Sequence, residues 1–67
     1  MEQDWVKIYT ATDTFRAEMV RQVLECNQID AVVINKQNTP YGFGDVLVYI
    51  HQDNFQEALE IIIQSEL

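Results

Sequence analysis

An α+β fold, in which a three-stranded antiparallel sheet carries two helices on one face, is predicted by three features of the chain. The apolar period switches from two to 3.6 twice along the sequence, the mark of a strand running into a helix. An internal repeat relates the two switches. The composition sets the scale: 67 residues, 48% hydrophobic and 22% charged, make one domain over residues 1–67, too apolar to stay disordered and small enough that partner subunits are a common source of extra stability.

Displacing the chain by 40 residues lays VKIYTATDTFRAEM over VLVYIHQDNFQEAL, so that Val6 meets Val46, Ile8 meets Val48, Tyr9 meets Tyr49, Asp13 meets Asp53, Phe15 meets Phe55 and Met19 meets Leu59. In the first strand Val6 and Ile8 point one way and Trp5, Lys7 and Tyr9 the other; in its counterpart Val46, Val48 and Ile50 oppose Leu47, Tyr49 and His51. Thr12 or Asp13 is placed to cap the first helix, where Phe15, Met19, Val20, Val23, Leu24 and Cys26 form an apolar stripe opposite Glu18, Arg21, Gln22, Glu25 and Gln28. Asp53 and Gln56 have the spacing of a capping box for the second helix, with Phe55, Ala58, Leu59, Ile62 and Ile63 as its stripe and Ile61 outside it.

Between the two copies lies a further strand, Ala31 to Asn35, so the order is β-α-β-β-α. Two related βα units in that order predict the split βαβ arrangement of ferredoxin-like folds, with the third strand inserted between the first two and a sheet order of 2-3-1. The fourth strand of the complete fold is missing, which leaves residues 5 to 10 as an open edge that invites pairing with another chain.

The stretch NTPYGFGD, residues 38 to 45, holds the single proline and both glycines. Gly42-Phe43-Gly44 begins like a dinucleotide fingerprint, but Leu47 stands where the third glycine belongs and a strand follows where a helix N-terminus is needed. A long hairpin connection is the expected role, with a positive φ at Gly42 or Gly44, residues 37 to 43 the most mobile internal segment, and Tyr41 and Phe43 available as anchors for a partner or ligand or as cover for the core. Cys26 shares the helical stripe and is expected to be buried and unreactive; His51 is expected at a strand end on the outer sheet face. Neither forms a nucleophile-base pair with the other, and one Cys and one His give no close ligand pair for a metal. No cofactor is expected.

A net charge of −7, with Lys7, Arg16, Arg21 and Lys36 as the basic residues, offers no stripe for a nucleic-acid backbone or an anionic membrane. No apolar run reaches the ~20 residues of a membrane span, and the start MEQDW lacks the pattern of a signal peptide, so the expected location is cytoplasmic. The candidate site is therefore a surface. Trp5, Lys7, Tyr9, Leu47, Tyr49 and His51 share the sheet face without helices, and with Tyr41 and Phe43 they expose more apolar area than a monomer normally shows. A second subunit, as a homodimer or homotrimer, is the expected cover, and another protein is the next.

The segments WVKIYTATDTFRAEMVRQVLE, IDAVVINK and FGDVLVYIHQDNFQEALEII, with Trp5 at strand 1, Thr12-Asp13 before helix 1, Leu24-Glu25 at its end, Asn35-Lys36, the pair Gly44-Asp45 and the alanine-containing last helix, resemble the small bacterial family described as putative prokaryotic signal-transducing protein. The resemblance covers essentially the whole chain. It implies a ferredoxin-like domain akin to the nitrogen-regulatory PII group of oligomeric sensors, and no catalytic residues. The chain departs from the family at Gln28, where a glycine usually ends helix 1, so Asn27 is expected to take the left-handed conformation. The combined expectation is a noncatalytic regulatory or interaction module that self-associates and senses a small ligand, with a ligand-free adaptor as the alternative and a small enzyme as the third reading.

Overall fold

The computed structural model describes residues 4–36 and 45–65. Strand β1 (Trp5–Ala11) leads into helix α1 (Thr14–Cys26), then strands β2 (Ala31–Asn35) and β3 (Val46–His51); a short 3-10 turn (Gln52–Asn54) then opens helix α2 (Phe55–Gln64). β3 lies between β1 and β2 and is antiparallel to both. The sheet order expected from the split βαβ pattern is therefore present, and among the described residues no strand pairs with the outer side of β1. The expectations for Gly42, Gly44 and the mobility of 37–43, together with Tyr41 and Phe43, fall outside the described residues.

The two layers make a slab of 35 × 28 × 15 Å. Its core sits between the helices and one sheet face: Ala17, Val20 and Leu24 from α1 and Ala58 and Ile62 from α2 meet Ala11, Ala31, Val46, Val48 and Ile50 from the strands, with Ile29 closing one end. Small residues at Ala11, Ala17, Ala31 and Ala58 let helices and sheet approach closely, which suits a chain this short. No polar side chain is buried among the described residues.

The helical stripes differ from the sequence expectation. On α1 the residues facing the sheet are Ala17, Val20 and Leu24, while Phe15 is 73% exposed and Met19 and Cys26 are also exposed. At 100° per residue, positions 15, 19 and 26 lie on the side opposite 17, 20 and 24. An apolar count alone merged two stripes, because alanine at position 17 carries little hydrophobic weight yet marks the true inward line. On α2 the same thing happens: Ala58 and Ile62 point inward, Ile61 packs on the core, and Phe55, Leu59 and Ile63 remain exposed.

The helix ends follow from local hydrogen bonding. Asp13 caps α1, its Oδ1 accepting from the Arg16 N–H at 2.8 Å. At the other end the Gln28 N–H donates to the Glu25 carbonyl at 3.0 Å and the Ile29 N–H to the Leu24 carbonyl at 2.9 Å, while buried Ile29 and Leu24 share the core. This is a Schellman motif, and it requires a left-handed residue at position 28. Gln28 supplies it, with φ 65°; Asn27, expected in that role, stays at φ −100° and donates from Nδ2 to the Val23 carbonyl at 2.8 Å. A Cβ in the left-handed region is strained, so Gln28→Gly should stabilise the fold by about 0.5–1 kcal/mol, read as a raised urea midpoint at unchanged slope.

The capping box expected at Asp53 and Gln56 is absent from α2, whose N-cap Asn54 makes no side-chain cap bond. Its place is taken one step earlier. His51 Nδ1 accepts from the Asp53 N–H at 3.2 Å and so caps the 3-10 turn that precedes the helix.

Candidate surface for interaction

The register of the sheet decides which side chains share the face away from the helices. Directly paired residues of antiparallel strands project to the same side. Trp5 pairs with His51, Val6 with Ile50 and Lys7 with Tyr49; then the register shifts, and Tyr9 pairs with Val48, Thr10 with Leu47 and Ala11 with Val46. Ile8 is the extra residue of a β-bulge, and beyond it the alternation of β1 is reversed. Tyr9, expected on the open face, is thereby turned to the side of Val48 and packs against the core.

β2 contributes in compensation. Val32 pairs with Tyr49 and Ile34 with Leu47, so both join the open face. Sequence reasoning passed over these two because strand AVVIN is apolar at four successive positions and does not reveal its own faces; pairing it against the alternation of VLVYIH would have done so. The open face therefore carries Trp5, Lys7 and Thr10 from β1, Leu47, Tyr49 and His51 from β3, and Val32 and Ile34 from β2. Of these Val32 is 41% exposed, while Trp5, Ile34 and Tyr49 are half-buried. Leu47 is 7% exposed, stands apart from the core cluster and pairs with Ile34 on one side and Thr10 on the other.

One end of this face is polar and ordered. The Trp5 and His51 rings meet edge to face, with centroids 6.1 Å apart and planes at 74°. Two carboxylates flank the ring, Asp4 Oδ2 at 3.6 Å from Nε2 and Asp53 Oδ2 at 3.4 Å from Nδ1. The Asp4 backbone carbonyl accepts from the Gln52 N–H at 2.7 Å. The Trp5 ring thus stands at the sheet end beside His51, giving the face an aromatic corner. His51 is the strand-end residue the sequence predicted, and its side chain caps the turn that follows.

On the helical side, Arg21 donates from Nε and Nη2 to Glu18 Oε2 at 2.9 and 2.7 Å and from Nη1 to Glu25 Oε1 at 2.8 Å. The hydrogen bonds it donates to Glu18 first and Glu25 second hold the guanidinium above its ordinary pKa. Nearby, Met19, Gln22, Val23, Cys26 and Asn27 line a shallow groove of about 290 Å³ along α1. Cys26, expected to be buried, lies exposed in it. A thiol reagent should therefore label the native protein at the rate of an ordinary accessible thiol, and a rate that appears only on unfolding would show Cys26 to be covered.

No group of three or more His, Cys, Asp or Glu among the described residues is arranged to hold a metal ion. No helix there is long and apolar enough to cross a membrane.

A split βαβ sheet with helices on one face and an apolar, aromatic-cornered face on the other defines an α+β domain of the ferredoxin-like pattern that presents a surface. The chain belongs to the family described as Putative prokaryotic signal transducing protein, whose model matches residues 5–66. No curated protein and no solved structure gives a significant match.

Proposed function

We propose that the chain is a noncatalytic, cytoplasmic interaction module of prokaryotic signal transduction that self-associates through the open face of its sheet. The observation that carries this reading is the set Trp5, Val32, Ile34 and Tyr49, around the buried Leu47, on a face that neither of the described helices covers. A surface of that kind on a small two-layer domain is stabilised when another apolar surface excludes water from it. A two-fold pairing of open faces is the economical arrangement, since one patch then serves both subunits. The family description, signal transducing, supports a role exerted through contacts rather than chemistry.

In this reading the signal is the occupancy of the face. A second copy and a partner protein compete for it, and a small effector acts by shifting that balance, as any ligand must that binds one state better than the other. The test is a dilution series followed by amide chemical shifts. Concentration-dependent shifts confined to Trp5, Lys7, Val32, Ile34, Leu47 and Tyr49 are expected; shifts confined to the outer sides of α1 and α2 would move the interface to the helical layer and refute the assignment.

A further inference from the structure

We propose that His51 is an acid-sensitive latch at the corner of the sheet, exchanging the cap of the turn before α2 for an ion pair when its ring gains a second proton. The exchange is a property of a single chain and does not depend on the open-face reading, although it takes place beside Trp5 at the corner of that face.

One nitrogen holds both alternatives. His51 Nδ1 accepts from the Asp53 N–H at 3.2 Å and lies 3.4 Å from the Asp53 carboxylate Oδ2. A ring nitrogen accepts a hydrogen bond only while it lacks a proton, and donates one to a carboxylate only once it has it. The two bonds therefore exclude each other, and both partners belong to the same residue. In the capped state the ring proton is on Nε2, 3.6 Å from Asp4 Oδ2; that contact is kept when Nδ1 is protonated as well, now between opposite charges.

The surroundings favour exchange over simple loss of the cap. Asp4, just before β1, and Asp53, in the turn, stand against the two ring nitrogens. Asp30 lies one residue before β2, level with His51 in the β2–β3 register, and Glu57 lies in the first turn of α2; Lys7, two residues along β1 from Trp5, is the basic group on this side of the sheet. The His51 side chain is 34% exposed, so its ring takes protons directly from solvent. Histidine is the side chain whose protonation ordinarily changes between about pH 5 and 8, a range in which carboxylates stay ionised.

Both neighbours of the latch respond. With the cap made, the turn Gln52–Asn54 is tied to the end of β3, and this matters for α2 because its own N-cap, Asn54, makes no side-chain bond. With the cap released, the start of α2 loses the side-chain bond that stands before it. At the same time the Trp5 ring, edge to face with His51, meets a cation in place of a neutral ring.

The experiment follows nitrogen-15-labelled protein by magnetic resonance from about pH 8 to about pH 5.5, reading the His51 ring nitrogens and the Asp53 and Gln52 amides. Expected are an unprotonated Nδ1 at the upper end, and an Asp53 amide proton that moves toward its unbonded position along the same curve as the ring. The Gln52 amide, which donates to the Asp4 carbonyl, should stay in place. His51→Asn supplies an acceptor for the amide two residues on that cannot be protonated, and should keep the Asp53 amide bonded at every pH. Should that variant fail to fold, His51→Phe removes the acceptor and should leave the amide unbonded throughout. A neutral ring with its proton on Nδ1, an Asp53 amide that does not follow the ring, or the same step persisting in either variant would overturn the proposal.

Discussion

Replacing Trp5 by Glu is expected to dissociate the self-associated protein. Trp5 anchors one corner of the open face through its edge-to-face contact with His51, and a carboxylate there would have to be desolvated in the interface without a partner. Loss of an aromatic anchor from an interface costs roughly 2 kcal/mol. In a two-fold interface the residue is lost twice, so the penalty is about 4 kcal/mol, close to a thousandfold in the dimer Kd. Size-exclusion chromatography with light scattering would show a monomer at concentrations where the parent protein is paired. The same substitution on a free, solvated surface would leave the elution volume unchanged.

The second large effect is in the core. Leu24 is fully buried and serves at once as a core side chain and as the residue whose carbonyl receives the Ile29 N–H that ends α1. Leu24→Ala should cost about 2–5 kcal/mol. For a chain of 67 residues the whole stability is on the order of 3–10 kcal/mol, so much of it would be lost and the urea transition would move sharply toward zero denaturant. Phe15→Ala, at a residue of similar apolar character that is 73% exposed, should change stability by no more than about 0.5 kcal/mol. Equal costs for the two substitutions would mean that α1 is seated the other way round.

That contrast also marks how far the sequence could be read. The element order follows from the two backbone periods, and the sheet order from the repeat of βα units; of the two cap candidates, Thr12 and Asp13, the structure selects Asp13. The faces of the helices were less legible. Phe15, Met19 and Cys26 carry the apolar signal on α1, but the sheet admits only small residues at its closest approach, and Ala17 takes the inward position that hydrophobicity would not assign. Tyr9 was misplaced for a different reason. The repeat aligns it with Tyr49, whereas one extra residue at Ile8 reverses the alternation, and a bulge leaves no reliable mark in a run as uniformly β-forming as WVKIYT. The repeat likewise suggested that Asp53 would cap as Asp13 does; instead the His51 side chain caps a 3-10 turn that the first copy lacks. Val32 and Ile34 entered the open face only through their pairing with β3, which is long-range information.

The open face as the self-association surface is the central claim, and sedimentation equilibrium of the unmodified protein from low to high micromolar concentration tests it most directly. The account predicts a reversible monomer-dimer equilibrium, with the dimer dominant at the upper end. A single ideal monomer across that whole range would contradict it.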